Sequence, residues 1–242
     1  MQLKIGTYNI CHGEGIDKRV NLNRQGVFLK NYDLDIVFLQ EIDIFTTRSN
    51  YNCIEELAKT IGLSNNYFGK TSDVFNGEYG NGIISKYQII ESNNYLVEVD
   101  SSHETRGICH CKINVDNKTI NLFSVHLPVY FEERIIYINK LIDLISKIKD
   151  EAIIVGGDFN VGYKKIGEHK YICEEQEEYL EYELLKKYLI KLNNDEITWR
   201  STTSEGCIDT IFYSKDFSLI EYNSVNNSCS DHSLVVVSLD RK

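Results

Sequence analysis

Four short runs of apolar residues constrain this chain most. They are Ile36-Val37-Phe38-Leu39, Leu122-Phe123-Ser124-Val125, Ile153-Ile154-Val155 and Leu234-Val235-Val236-Val237. Each is too short for a helix and shows no apolar–polar alternation, so each reads as a strand buried on both faces. A strand covered on both faces needs another layer above and below it. The intervening segments supply candidates for those layers. Residues 52–61 place Ile54, Leu57, Ala58 and Ile61 at helical spacing, with Gly62 as a stop. Residues 132–149 carry Ile135, Ile138, Leu141, Ile142, Ile145 and Ile148 along one helical face. Helices are also expected over 19–31 and 174–192, and strands over 3–9, 35–39, 82–86, 107–115, 119–126, 207–213, 219–225 and 233–239. Asp116-Asn117-Lys118 reads as a hairpin turn. The pattern suggests one α/β domain over 1–242, two sheets packed together with helices outside. Propensity alone leaves a doubly wound parallel sheet open.

Composition narrows the partners. A net charge of −10 makes a poor non-specific binder of nucleic acid or anionic membrane. It does not exclude a nuclease, because a bound metal and a local basic patch can offset the field near a site. No apolar run approaches the roughly 20 residues that span a bilayer, and the start of the chain shows no signal-peptide pattern. Seven cysteines cannot all pair within one chain, and Cys109-x-Cys111 has no second close pair with which to hold zinc. These cysteines read as small core residues in a reducing, cytoplasmic setting. Six Glu between 174 and 183 read as a solvated helix face.

Polar residues stand where the buried strands end. Asn9 closes the first strand, Glu41 follows Leu39-Gln40, and His126 follows Val125. Asp158 and Asn160 follow Val155-Gly156-Gly157, Asp209 sits in the 207–213 strand, and Asp231-His232 precede the last. One carboxylate after a strand is usually a turn residue, but this set suits one reaction. Phosphate-ester hydrolysis needs a hard cation, for which Glu41 and Asn9 offer oxygen ligands. It needs a deprotonated water, which suits Asp158 with Asn160 beside it. It also needs stabilisation of the phosphoryl oxygens, which suits His232 held by Asp209.

The motifs Thr7-Tyr8-Asn9, Leu39-Gln40-Glu41, Tyr79 to Ser85, Glu104-Thr105-Arg106-Gly107, Ser124-Val125-His126-Leu127, Gly157-Asp158-Phe159-Asn160, Ile208-Asp209 and Ser230-Asp231-His232 follow one another in order. Together the chain resembles the endonuclease/exonuclease/phosphatase superfamily, the DNase I-like group. The resemblance implies a four-layer α/β sandwich, two mixed sheets face to face with helices outside. It implies a Mg²⁺-dependent phosphoric ester hydrolase, with Mn²⁺ able to substitute. Glu41 would be the main metal ligand, assisted by Asn9, with Asp231 close to the metal. Asp158 and Asn160 would handle the attacking water and the scissile phosphate. His232, oriented by Asp209, would contact the phosphate. His126 would sit against it and could protonate the leaving group. Asn81 and Arg106 match positions near the substrate phosphate. No protein partner is implied.

Ser124-Val125-His126-Leu127-Pro128 looks like the DNase, sphingomyelinase and phosphatase branches, not the AP endonucleases, which usually carry tyrosine-proline there. The opening Thr7 to Gly13 resembles small bacterial members of undefined substrate. The loop 161–170, with three lysines, could guide a phosphodiester backbone or be a solvated loop. Tyr130-Phe131 could be a platform for a base or lipid, or a plug against the next helix. The expected activity is a phosphodiesterase on DNA or RNA. The alternative is a phosphatase or phospholipase-C-like enzyme on inositol phosphates, phospholipid head groups or another small ester.

Overall fold

The apolar runs lie at the centres of two six-stranded mixed sheets in a computed structural model, which describes residues 1–98, 103–166 and 179–242. In chain order the first strands are β1 (Gln2–Asn9), β2 (Ile36–Ile44), β3 (Asn65–Val74), β4 (Gly77–Ser85) and β5 (Ile89–Val97). Then come β6 (Arg106–Val115), β7 (Lys118–His126), β8 (Ala152–Asp158), β9 (Tyr163–Lys165) and β10 (Ile190–Lys191). The last are β11 (Trp199–Arg200), β12 (Ser204–Gly206), β13 (Asp209–Tyr213), β14 (Phe217–Val225) and β15 (Leu234–Arg241). The first sheet has the order β14-β15-β1-β2-β4-β3 and the second β10-β13-β8-β7-β6-β5, with a small third sheet β11-β12-β9. Each large sheet holds one parallel pair at its centre, β1 with β2 and β7 with β8. The register sets Asn9 opposite Gln40 in one sheet and His126 opposite Asp158 in the other.

Three apolar clusters define four layers. Leu3, Ile5, Ile36, Phe38 and Ile83 of the first sheet meet Cys109, Cys111, Leu122, Ile154 and Ile211 of the second. The outer face of the first sheet, with Tyr8, Val37 and Leu39, is covered by α1 (Leu22–Lys30) and α2 (Cys53–Ile61). The outer face of the second, with Phe123, Val125 and Val155, is covered by α3 (Phe131–Ser146) and α4 (Leu180–Leu185). This is the expected four-layer sandwich. Gly156 shows how closely the sheets approach, since a Cβ there would lie 2.3 Å from the Phe38 ring. One buried polar link crosses the same space: Gln40 Nε2 donates to Ser124 Oγ at 3.2 Å, and Ser124 Oγ donates to the Leu39 carbonyl at 3.2 Å. It ties the middle of β2 to the end of β7.

Local expectations hold where the chemistry is local. Gly62 terminates α2 in the left-handed conformation, φ 82°. Asp116 and Asn117, both at positive φ, join β6 to β7 as a two-residue hairpin. Cys109 and Cys111 share one face in the central core, and the six described cysteines are all free. Cys173 lies outside the described residues. Strands β3 and β5 were not expected: both are edge strands whose polar, half-exposed faces hide the apolar alternation. The helix expected over 174–192 is corrected. Among the described residues of that span only Leu180–Leu185 is helical and β10 follows it, while residues 167–178 lie outside the described set. Glu181 is also not solvated, because it is buried against Arg134 with an Nε–O distance of 2.6 Å. Among the described residues no helix is long and apolar enough to cross a membrane.

Candidate active site

Three neighbouring strands of the second sheet carry His126, Asp158 and Asp209 in one row, since Asp158 faces His126 on β7 and Asp209 on β13. The first sheet brings Asn9 from the end of β1 and Glu41 from β2. The β2–β4 register slips between Leu39 and Ile42, and Glu41 sits in the slip with φ 59°. Such a bulge re-aims a side chain that regular alternation would point elsewhere. The Ser230–His232 turn before β15 is pinned to β1: Ser230 Oγ donates to the Asn9 carbonyl at 2.8 Å and accepts from the His232 N–H at 3.2 Å.

The side chains converge on Asp158. Its Oδ1 accepts from the Asn160 N–H at 2.9 Å and its Oδ2 from Asn9 Nδ2 at 3.2 Å. His126 Nε2 lies 3.5 Å and His232 Nε2 3.8 Å from that same Oδ2. Asn9 Nδ2 also donates to Glu41 Oε1 at 3.1 Å, so one amide joins the two carboxylates. His232 Nδ1 donates to Asp209 Oδ2 at 2.9 Å. Arg106 Nη1 lies 2.8 Å from His126 Nδ1. A guanidinium can only donate, so His126 Nδ1 accepts and its proton sits on Nε2.

The two histidines are driven in opposite directions. Burial, the Arg106 guanidinium and the charge of His232 hold His126 well below its ordinary pKa, as a neutral ring. Burial works against charge on His232 as well, but Asp209, with Asp158 and Asp231 behind it, overcomes that and pushes it up to about 10. Burial, reinforced by the Asp209 carboxylate, raises Asp158 to about 7. At Glu41 burial also opposes charge, yet the surrounding imidazoles and the Asn9 amide outweigh it and hold the carboxyl well below the usual range. Near neutral pH the site therefore offers a poised carboxylate, a charged imidazolium and a neutral imidazole N–H donor.

A family model described as "Endonuclease/Exonuclease/phosphatase family" matches residues 6–232, which include all of these side chains. The chain belongs to the endonuclease/exonuclease/phosphatase family. Members of this family are phosphoester hydrolases that generally use divalent metals. The Escherichia coli K12 protein YbhP, itself uncharacterized, is 29% identical over 172 residues, covering 65% of this chain and 66% of YbhP. The chain thus spans just under two thirds of the curated relatives it matches. A family member from Beutenbergia cavernae superposes with TM-score 0.80 at 15% identity, over 99% of this chain and 72% of that one. A mannosyl-6-phosphatase from Bacteroides thetaiotaomicron superposes with TM-score 0.71 at 15% identity, over 98% and 99%. At such identities the likeness is one of fold.

Two donor groups could serve the divalent metal that the family implies. Donor atoms of Asp158, Asp209 and His232 lie within 4.8 Å of one another. In that set the imidazole Nδ1 is already committed to Asp209 Oδ2, at 2.9 Å, which makes it a poorer cradle than uncommitted carboxylate oxygens. The ionised Glu41 carboxylate supplies hard oxygen donors of the kind Mg²⁺ takes, and the Asp231 carboxylate, like that of Glu41, acts on the Cys11 thiol. Those residues fit the ion. Asn9 meets them through Nδ2, its Oδ1 accepting from the Cys11 N–H at 3.0 Å, so it organises the carboxylates here.

The remaining sequence candidates fall in different places. Arg106 is buried beside His126. Asn81 is buried and braces β6 by donating to the Gly107 carbonyl at 3.1 Å. Asn160 Nδ2 donates to the Leu127 carbonyl at 2.8 Å. Lys164 of the basic loop lies 4.0 Å from Glu205, and residues 167–170 lie outside the described set. Tyr130 is exposed and stacks on His103 with centroids 4.5 Å apart. Sequence reasoning missed Thr198 and Trp199. Thr198 Oγ1 accepts from the Asp209 N–H at 2.9 Å, and Trp199 Nε1 donates to Asp231 Oδ2 at 3.3 Å. Trp199 opens β11 of the small third sheet and Thr198 directly precedes it, and these strands are too short to show as a pattern in the sequence. Burial and the carboxylates of Asp231, Glu41 and Glu14 raise the Cys11 thiol, so it is no free thiolate.

Proposed function

We propose that this family member is a divalent-metal-dependent phosphodiesterase that cleaves nucleic-acid phosphodiesters by in-line attack of an activated water. The observation that carries the reading is the separation of roles around Asp158. Environments that push neighbouring titratable groups apart assign base and acid. Asp158, raised to about 7, takes the proton of the attacking water. His232, charged and oriented by Asp209, faces Asp158 Oδ2 and stabilises the phosphoryl oxygens as negative charge develops. It is also the group able to release a proton toward the leaving oxygen. His126 cannot do that: Arg106 occupies its Nδ1, so the neutral ring would have to become an anion. Its Nε2–H donates a hydrogen bond to the phosphate instead, which revises the leaving-group role suggested by resemblance. Arg106 fixes that tautomer, and Asn160 contributes its backbone N–H to Asp158. A divalent cation held by Glu41 and Asp231, Mg²⁺ or Mn²⁺, supplies charge neutralisation on the phosphate oxygens when bound.

A second reading, a phosphatase or phosphodiesterase on a small ester such as an inositol phosphate, a sugar phosphate or a lipid head group, draws on a separate observation. The chain is acidic, and two of the described basic residues, Lys164 of the basic loop and Arg200, both meet Glu205. A substrate panel in Mg²⁺ separates the two: single- and double-stranded DNA, RNA, inositol phosphates, a sugar phosphate and sphingomyelin. The expected result is fastest turnover of a nucleic-acid diester, with binding that weakens steeply as salt rises. Turnover confined to small esters would replace the first reading with the second.

A further inference from the structure

Between β1 and α1 the chain makes a 3-10 turn, Cys11–Gly13. Cys11 and His12 both stand at φ 45°, and Glu41 opposite them at 59°. Non-glycine residues rarely adopt this conformation, and each costs on the order of 1 kcal/mol or more. The turn therefore holds a thiol and an imidazole against one carboxylate at some local expense. Donor atoms of Cys11, His12 and Glu41 all lie within 4.8 Å of one another. His12 Nδ1 is buried and has no hydrogen-bond partner. It faces Glu41 Oε2 at 3.9 Å, too far for a hydrogen bond. Around one tetrahedral Zn²⁺, the usual metal–ligand bond lengths put donor atoms roughly 3.4–3.6 Å apart. His12 Nδ1 and Glu41 Oε2 stand a few tenths of an ångström wider than that, at 3.9 Å, so the side chains would draw in around an ion.

The surroundings are arranged as an imidazole ligand requires. His12 Nε2 faces the carboxylate of Glu14 at 3.9 Å, and Glu14 is in turn paired with Lys18 at 3.0 Å. A ligating histidine commonly turns its second nitrogen to such a carboxylate, which orients the ring. The Cys11 backbone is held by Asn9 Oδ1. Glu41 divides its two oxygens between two neighbourhoods. Oε1 accepts from Asn9 on the Asp158 side, while Oε2 faces His12.

We propose that Cys11, His12 and Glu41 form a second cation site, for a borderline-soft dication such as Zn²⁺, joined through Glu41 to the hard-cation site of the hydrolase. Thiolate and imidazole suit zinc and its first-row neighbours, whereas Mg²⁺ takes oxygen donors. Three protein ligands leave one position open, as in zinc sites that also bind water or substrate. On binding, the Cys11 S–H bond breaks, the sulfur gives its electron pair to the cation and the proton passes to solvent. The site shares Glu41 with the hydrolytic reading but does not require turnover, so it is tested by binding alone.

Co²⁺, which reports its ligands by absorption, is titrated into the full chain, Cys11→Ser and His12→Gln. Affinities for Zn²⁺ and Mg²⁺ are measured calorimetrically on the same proteins. The wild type should show a thiolate-to-cobalt charge-transfer band that disappears in Cys11→Ser, although that variant keeps the other cysteines. Zn²⁺ affinity should fall by more than about 100-fold in each variant, beyond what loss of an outer partner usually costs, while Mg²⁺ affinity stays unchanged. Persistence of the band in Cys11→Ser, absence of the band in wild type, or wild-type Zn²⁺ affinity in both variants would overturn the site. Failure of the substrate panel would leave it standing.

Discussion

Replacing Asp158 by Asn is expected to lower kcat by roughly 10³- to 10⁴-fold, near the upper end of what a positioned general base contributes. It should also stabilise the metal-free fold at alkaline pH. Asn is isosteric and keeps an acceptor for the Asn160 N–H, so the loss reports the proton and not the shape. The stability effect follows from linkage. Burial and Asp209 raise this carboxyl from 3.8 to about 7, so between those values the folded state holds a proton that the unfolded chain has released. Stability contributed by this group therefore falls as pH rises through that window, and its full penalty is present above about 7. Urea melts in EDTA should show Asp158→Asn more stable than wild type at pH 8, with the gap closing toward pH 4. A variant equal in kcat to wild type would remove Asp158 from the reaction. A stability gap independent of pH would show that the carboxyl is not raised.

His232→Ala should lower kcat by roughly 10²- to 10³-fold, the range for removing a preorganised donor to developing charge, with little change in KM. The imidazolium also compensates Asp209, which is fully buried, so the variant loses stability as well. Here the sign is the reverse of that at Asp158. A base raised from 6.5 to about 10 stabilises the fold fully below 6.5 and loses that contribution as pH climbs through 10. The stability gap between wild type and variant that this charge contributes should be full below about pH 6.5, narrow from there upward and close as pH passes about 10. His232→Gln, which keeps a side-chain donor near Asp209, should recover stability without recovering rate. Recovery of both would make the ring a scaffold and not a participant. Adding Asp209→Asn to His232→Ala should cost little more, because the pair acts as one unit.

Much of this site is legible in the sequence for a physical reason. Apolar runs buried on both faces have sharp ends, and the polar residues at those ends must emerge at a sheet rim. Asn9, Glu41, His126, Asp158, Asp209 and His232 were readable that way. What was hidden depends on non-local or left-handed backbone. The bulge that turns Glu41 inward arises from the β2–β4 register slip, which no run of residues announces. The neutral state of His126 comes from Arg106 on the adjoining strand β6. Cys11 was read with the other cysteines as a small core residue, and nothing in the sequence announces the positive φ that it shares with His12 across from Glu41. The edge strands β3 and β5 carry Asn65-Asn66 and Glu91-Ser92-Asn93-Asn94, residues of low strand propensity that pairing with β4 and β6 overrides. Glu181 looked solvated because its partner Arg134 belongs to a distant helix.

In the proposed reaction a carboxylate-held divalent cation and the Asp158–His232 pair together hydrolyse phosphate esters. Its most direct test is the rate on bis(p-nitrophenyl) phosphate in excess EDTA, then after dialysis into Mg²⁺ or Mn²⁺, with Glu41→Gln in parallel. The expected result is no turnover in EDTA, restoration by either ion in the wild type, and none in Glu41→Gln. Full activity in EDTA, or metal-restored activity in Glu41→Gln equal to that of the wild type, would contradict it.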